Sequence, residues 1–215
     1  MGEALNQIRR GTNLDTVSLG NGYESHSGFR DAFARTFGQP PGRCRQADRV
    51  VTARLSSPIG PLDVAAIDEG VCLVEFAGPR ADDQTETLQR LFVCAVVPGR
   101  HPLLDQLRDE LAAYFAGRLR AFRVPLVYPG TPFQEAVWGQ LLQIPYGETR
   151  SYKDIARAVG TPAGSRAVGA ANGRNRLAIV IPCHRVVNEG GRLGGYGGGL
   201  WRKQFLLDLE RRQAR

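Results

Sequence analysis

The sequence predicts an α/β protein in three parts: a helical N-terminal unit with a helix-turn-helix, a small antiparallel sheet carrying one helix, and a mainly helical C-terminal part with a second helix-turn-helix. Three observations predict this. Short β-branched runs separated by turn residues fill residues 50–76. Apolar residues recur at helical spacing over 102–116 and again from 131 onward. Near the start, Asn21-Gly22 interrupts two helical runs. Boundaries are expected to divide the chain into 1–47, 48–125 and 126–215.

In the first part, Leu5 and Ile8 fit one short helix, and Leu14, Val17 and Leu19 a second. Ser25 is placed to cap a third helix through Phe29, Ala32, Phe33 and Phe37. Gly38 ends it, and Pro40-Pro41 keeps it ended. Helix, short glycine-containing turn, helix is the helix-turn-helix pattern. The words Gly22-Tyr23-Glu24-Ser25-His26-Ser27-Gly28-Phe29 and Phe33-Ala34-Arg35-Thr36-Phe37-Gly38-Gln39-Pro40-Pro41-Gly42 resemble the second helix-turn-helix of the AraC family of transcription regulators. That family normally carries two such units, and one fits here. Arg30 and Arg35 are its candidates for approaching DNA; the competing reading is a packing module.

From Arg49 the pattern changes. Val50, Thr52, Arg54 and Leu55 begin an extended run, and Ser57-Pro58-Ile59-Gly60-Pro61 is turn chemistry. Leu62–Ile67 and Val71–Phe76 follow, split by Asp68-Glu69-Gly70, which predicts a three-stranded antiparallel meander. Residues 80–90 are polar, helix or loop. Leu103, Leu107, Leu111 and Phe115 set an amphipathic helix over 102–116 packed on that sheet, ended by Gly117. This region carries no constellation of catalytic residue types, and its Cys72 and Cys94 read as packing.

Pro125 to Gly130 reads as a linker. Thr131 then caps a helix with Pro132 at its first position and Gln134 closing a capping box; Phe133, Val137, Trp138 and Leu141 give its apolar face. After the turn Pro145-Tyr146-Gly147-Glu148, Ser151 caps a helix with Ile155, Ala156 and Val159 inward and Gly160 as its stop. Residues 164–173 form a helix of small side chains, which permits close approach of another helix or of a nucleic-acid backbone. A helix from Leu200 to Glu210 closes the fold, and the tail Arg211–Arg215 reads as solvated charge.

The chain of 215 residues carries a net charge of +7 and a pI near 9.7, which favours a polyanionic partner and says nothing of fold. It has no long apolar span and no basic amphipathic anchor, so no membrane partner is expected. Cys44, Cys72, Cys94 and Cys183 form no C-x-x-C pair and no His/Cys cluster, so no metal is expected. With no secretory signal at the N-terminus, a reducing cytoplasm is the expected compartment.

The chemistry concentrates in Ile179-Val180-Ile181-Pro182-Cys183-His184-Arg185-Val186-Val187. Cys183 is either inert packing or a thiol held by a rigid frame. The thiolate is the attacking form, and His184 and Arg185 are neighbours that an inert cysteine does not need. The run Gly194-Gly195-Tyr196-Gly197-Gly198-Gly199 lacks the Gly-Lys-Ser/Thr of a phosphate loop and its strand–helix setting.

Four blocks then point to a family. They are Phe133-Gln134 with Val137-Trp138, Leu141, Ile144–Thr149 and Ser151-Tyr152; Arg166–Ala171 with Asn175; Ile181–Val187; and Gly195–Leu200 with Lys203, Leu206-Leu207 and Glu210. Together they resemble the O6-alkylguanine-DNA alkyltransferases, densely over 131–210 and loosely over 50–117. With the helix-turn-helix in front, the chain looks like the adaptive-response Ada proteins without their zinc domain. The resemblance implies a ribonuclease-H-like fold for 48–125 and a single-turnover transfer of the alkyl group from O6-alkylguanine to Cys183, with O4-alkylthymine left open as a second substrate.

It further implies the roles of individual residues. His184 takes the thiol proton through a water, Glu210 orients the imidazole, Asn175 pins the cysteine loop, and Tyr152 donates to the departing guanine. Tyr196, Pro182 and Val186 line the pocket. Arg166 replaces the flipped base, Ala167, Ala170 and Gly173 lie in the minor groove, and Lys153 and Thr161 contact phosphates. Double-stranded DNA is the implied partner, a monomer the implied state, and no cofactor is implied. Arg176 departs from the pattern, since many relatives carry proline there. Two alternatives stand beside this reading: an alkylation-responsive transcription regulator, and a damage-binding module, although such modules typically have another residue at the cysteine position.

Overall fold

A computed structural model describes residues 2–9, 12–23, 25–37, 41, 49–78, 86–88, 92 and 96–214. Cys44, Cys94 and the helix stop at Gly38 and Pro40 lie outside them. At the N-terminus stand α1 (Gly2–Arg9), α2 (Leu14–Gly20) and α3 (His26–Phe37). Asn13 caps α2 by accepting from Asp15 N, and Ser25 Oγ accepts from Gly28 N at the start of α3. Ala4, Ile8, Val17, Phe29 and Phe33 form a small core of their own, against which Val97 packs.

Strands β1 (Val50–Leu55), β2 (Leu62–Ile67) and β3 (Gly70–Phe76) form the expected meander. A fourth strand, β4 (Val96–Pro98), runs parallel to β1 and makes the order β3-β2-β1-β4. Side chains alternate between faces except at the register shift between β2 and β3, where Cys72 and Leu73 share one side. Val51, Val64, Ala66 and Val74 join the main core, while Val50, Ala65, Ile67, Cys72 and Leu73 form a second layer with Leu88. On the main-core side lies α4 (Pro102–Phe115), capped by His101. It buries Leu104, Leu107, Leu111 and Tyr114, so the stripe follows i, i+3, i+7, i+10. Leu103 and Phe115, expected inward, are only half-buried, because strict four-residue steps drift around a 3.6-residue helix.

The free edge of β3 is where the C-terminal part docks. Val71 N donates to Pro125 O at 2.8 Å, and Val127 N donates to Val71 O at 2.9 Å. Val74 N donates to Arg176 O, and Ala178 N to Val74 O, each at 2.8 Å. The expected linker therefore begins as a sheet-edge segment, which satisfies backbone groups that an open edge leaves unpaired. Gly70 permits this approach, since a Cβ there would stand 2.8 Å from Pro125 O.

The C-terminal part comprises α5 (Pro132–Leu142), β5 (Arg150–Ser151), α6 (Tyr152–Ala158), α7 (Ser165–Gly173), a 3-10 turn (Cys183–Arg185), β6 (Val186–Val187) and α8 (Leu200–Gln213). The expected capping box of Thr131 with Gln134 is present, and Ser151, expected as a cap, forms a second box with Asp154. β5 pairs in parallel with β6, fixing α6 beside the cysteine turn. α8 runs on to Gln213, three residues past the expected end. One continuous core joins the sheet, α4, α5, α6, α7 and α8. Among the described residues no helix is long and apolar enough to cross a membrane.

Candidate active site

The cysteine turn is built by local backbone bonds and two asparagines. Val180 N donates to Ala178 O, Ile181 N to Leu177 O, and Cys183 N to Ile181 O at 2.7 Å. Ile179 holds φ 73°, unusual for a β-branched residue and worth about 1–3 kcal/mol of local strain. Asn175 Nδ2 donates to Ile181 O at 2.9 Å and to Cys183 Sγ at 3.1 Å, while its Oδ1 accepts from Leu177 N. Asn172 Nδ2, on α7, donates to Cys183 O at 3.3 Å. Arg176 ties the same segment outward: Nη2 donates to Pro129 O at 2.5 Å, and the guanidinium lies over the Trp138 ring. A fixed Arg176 side chain thus ties the loop to the segment before α5.

Behind the turn lies a buried polar network. His184 Nε2 lies 2.8 Å from Glu210 Oε1, and both side chains are fully buried. Arg185 donates to both oxygens of Glu210, Nε to Oε2 and Nη2 to Oε1, each at 2.9 Å. Gly147 N and Tyr114 Oη add two further donations. Burial alone would push the Glu210 carboxyl up, but His184 and Arg185 more than offset it and hold the group well below the usual carboxylate range. Burial lowers the His184 pKa, against the pull of Glu210, and so keeps the imidazole neutral. A neutral ring donates from Nε2–H to the carboxylate, which leaves the Nδ1 lone pair as acceptor. Nδ1 is buried and has no hydrogen-bond partner among the described residues.

Cys183, 5% exposed, opens onto a cavity of about 490 Å³. Burial pushes its thiol up to about 11, with the Asn175 donation working the other way. The cavity is walled by Tyr152, Tyr196, Phe76, Glu75 and the backbone of Gly195, Gly197 and Gly198. The glycines let aromatic rings approach: a Cβ on Gly194 would lie 2.6 Å from the Tyr152 ring, and one on Gly198 would run into Phe76. Lys203 is fully buried beneath this loop, its Nζ donating to Val186 O at 2.6 Å and reaching the Gly194 and Gly195 carbonyls. Among the described residues no group of three or more His, Cys, Asp or Glu side chains is placed to hold a metal ion.

Comparison with known proteins matches this arrangement. The family described as "6-O-methylguanine DNA methyltransferase, DNA binding domain" matches residues 132–212, and "6-O-methylguanine DNA methyltransferase, ribonuclease-like domain" matches 50–128. A methylated-DNA–protein-cysteine methyltransferase of Mycobacterium bovis is 58% identical over 160 residues, covering 74% of this chain and 92% of that protein. One from Methanosarcina acetivorans is 44% identical, covering 74% of this chain and 96% of that protein. The crystal structure of Mycobacterium tuberculosis OGT in complex with DNA superposes with a TM-score of 0.65 at 42% identity, over 76% of this chain and 94% of that one. The chain belongs to the methylated-DNA–protein-cysteine methyltransferase family.

In this methyltransferase the expected DNA-facing residues lie on two successive helices and the connection between them. Arg166, Ala167, Ala170 and Gly173 are exposed along α7, while Val168, Ala171 and Asn172 of the same helix face inward. Lys153, at the start of α6, is exposed and pairs with Glu189 at 3.0 Å. Thr161 is exposed on the connection between α6 and α7. Tyr152 is half-buried, with its hydroxyl 3.4 Å from Gly195 O. The Tyr196 hydroxyl is buried without a hydrogen-bond partner among the described residues.

Two expected pocket residues are corrected. Pro182 and Val186 do not line the Cys183 cavity. The 3-10 turn sets Pro182 on a separate hollow with Tyr146, Ile144 and Arg185, and pairing of Val186 with Arg150 in the β5–β6 ladder buries its side chain fully. The sequence assigns no site role to Tyr114, to Glu75 or to Lys203, although Lys203 belongs to one of the blocks that carry the resemblance. One signal was present for Lys203: Lys203, Leu206, Leu207 and Glu210 form the inward stripe of α8, so charged residues stand at both ends of a buried face. Tyr114 and Glu75 sit inside ordinary amphipathic patterns that carry no such mark.

Proposed function

We propose that this methyltransferase repairs double-stranded DNA by moving the alkyl group from O6 of guanine onto Cys183 Sγ, one group per protein molecule. The observation that carries this reading is the pairing of a cavity-facing cysteine with a buried His184 whose Nε2 is held by Glu210 and whose Nδ1 is left to accept a proton. Cys183 and His184 are adjacent, so their side chains do not face each other, and a bridging water passes the thiol proton to Nδ1. The thiolate attacks the alkyl carbon, an S–C bond forms as the C–O6 bond breaks, and Tyr152 donates to the departing guanine. Overall the thiol proton ends on guanine and the alkyl group on sulfur. A thioether is stable, so the protein is consumed.

A base stacked in a duplex cannot reach a sulfur inside a cavity, so the nucleotide flips out, at a cost of a few kcal/mol, roughly, that damaged pairs reduce. Arg166 at the exposed start of α7 fills the gap, and Ala167, Ala170 and Gly173 allow the helix close to the minor groove. Lys153 and Thr161 anchor phosphates beside it. The division at residues 47 and 125 assigns 1–47 to an AraC-like helix-turn-helix unit, 48–125 to the ribonuclease-like part and 126–215 to chemistry and DNA binding. Arg30 and Arg35 are exposed on α3 of the first unit.

Incubation with duplex DNA containing O6-methylguanine, followed by nucleoside analysis, tests the reading. Loss of O6-methylguanine should plateau at one equivalent per protein and vanish in Cys183→Ala. Turnover beyond one equivalent, or loss that survives Cys183→Ala, would refute it.

A further inference from the structure

We propose that Glu75 makes the alkyl cavity selective by charge, so that adducts bearing a carboxylate are transferred more slowly than neutral adducts of the same size. The inference rests on the alkyl transfer to Cys183 proposed above. Glu75 and Phe76 end β3, and both line the cavity onto which Cys183 opens. Among the described residues lining it, Glu75 is the one Asp, Glu, Lys, Arg or His; the rest are aromatic, small, amide, hydroxyl or thiol. Glu75 Oε1 accepts from Phe76 N at 2.9 Å, which fixes the carboxylate at the strand end.

This charge is felt across the cavity. After burial and the opposing Asn175 donation, it adds to the upward push on the Cys183 thiol, against the smaller pull of Lys203; after burial and Cys183, it does the same to the Tyr196 phenol, against the smaller pull of Arg202. A negative group that works against thiolate formation gives nothing to the transfer step itself. Its effect falls instead on what enters with the guanine. The transferred carbon must touch Sγ, and any atoms beyond it occupy the same cavity. A methyl group brings no charge. A carboxylate brings a second anion into a partly desolvated space, where like charges repel more strongly than in water.

Two adducts of matched size separate charge from shape: O6-carboxymethylguanine and its neutral amide, O6-(carbamoylmethyl)guanine, each in the same duplex. Single-turnover transfer rates are measured for both with the wild type and with Glu75→Gln, which keeps an acceptor for Phe76 N. Glu75→Ala repeats the comparison without the amide, and duplex affinities are measured in a Cys183→Ser background. The amide-to-carboxylate ratio should be well above one in the wild type and fall about tenfold in Glu75→Gln. A ratio that both Glu75 variants leave unchanged, in rates and in affinities, overturns the proposal. If the wild type transfers no adduct at all, the alkyl-transfer reading fails, while the affinity ratio still decides the role of Glu75.

Discussion

Tyr114 Oη donates a 2.7 Å hydrogen bond to Glu210 Oε1 across 96 residues of sequence. The bond joins the helix beneath the sheet to the carboxylate that holds His184. The same oxygen accepts from His184 and Arg185, so the α/β part of the molecule helps set the charge distribution at the base. Burial first, then the Glu210 charge, pushes the Tyr114 phenol well above its ordinary value, so it stays a donor throughout the working range.

Tyr114→Phe keeps the ring and removes that donor. Stability should fall by about 1–3 kcal/mol in urea unfolding. Glu210 Oε1, relieved of one donor, draws harder on the His184 N–H, so the imidazole becomes more basic. The His184 inflection in the pH–rate profile of alkyl transfer should move to higher pH. Lost stability with an unmoved inflection would leave Tyr114 with packing alone.

Glu210→Gln leaves Arg185 and His184 without their shared anion and should cost about 3–5 kcal/mol. The Glu210 pKa is depressed below its ordinary 4.5 on folding. Its contribution is therefore present above that value and lost as pH falls through the folded one. Urea midpoints taken from about pH 6 down to about pH 3 should fall more steeply for the wild type than for Glu210→Gln. Parallel curves would contradict this.

The Cys183 thiol is raised from 9.0 to about 11 on folding. Its stabilising effect is thus present below 9.0 and lost as pH rises toward 11. Without DNA, Cys183 should react with iodoacetamide more slowly than free cysteine at neutral pH, and its rate should climb well into the alkaline range. Asn175→Ala removes the donation to Sγ and should slow that reaction further. A fast neutral-pH reaction would show a thiolate already formed.

On the role proposed for Arg166, to fill the space of the flipped base, Arg166→Ala should lower transfer from a duplex by more than about tenfold. Reaction with a free O6-alkylguanine base should be unchanged. Equal loss on both substrates would place Arg166 in the chemistry or in the fold instead.

The parts legible in the sequence were those fixed by local rules. Capping at Thr131 and Ser151, the turns at Asp68-Glu69-Gly70 and the stripe of α5 follow from a few neighbouring residues. β4 was not legible, because three residues become a strand only by pairing with β1, some 45 positions earlier. Pro125 looked like linker chemistry because its partner, Val71, lies across the sheet edge. In the site, Cys183 and His184 stand out in the local run, the roles of Asn175 and Glu210 come from resemblance, and the distances among them come only from the fold. Pro182 and Val186 sit beside Cys183 in sequence, yet the 3-10 turn sends them elsewhere.

The most direct test is the intact mass of the protein after incubation with duplex DNA containing O6-methylguanine, with peptide mapping and Cys183→Ala alongside. The wild type should gain one methyl group, mapped to Cys183, and the variant none. An unchanged wild-type mass despite DNA binding, or a methyl group on another residue, would contradict the assignment of Cys183 as the acceptor.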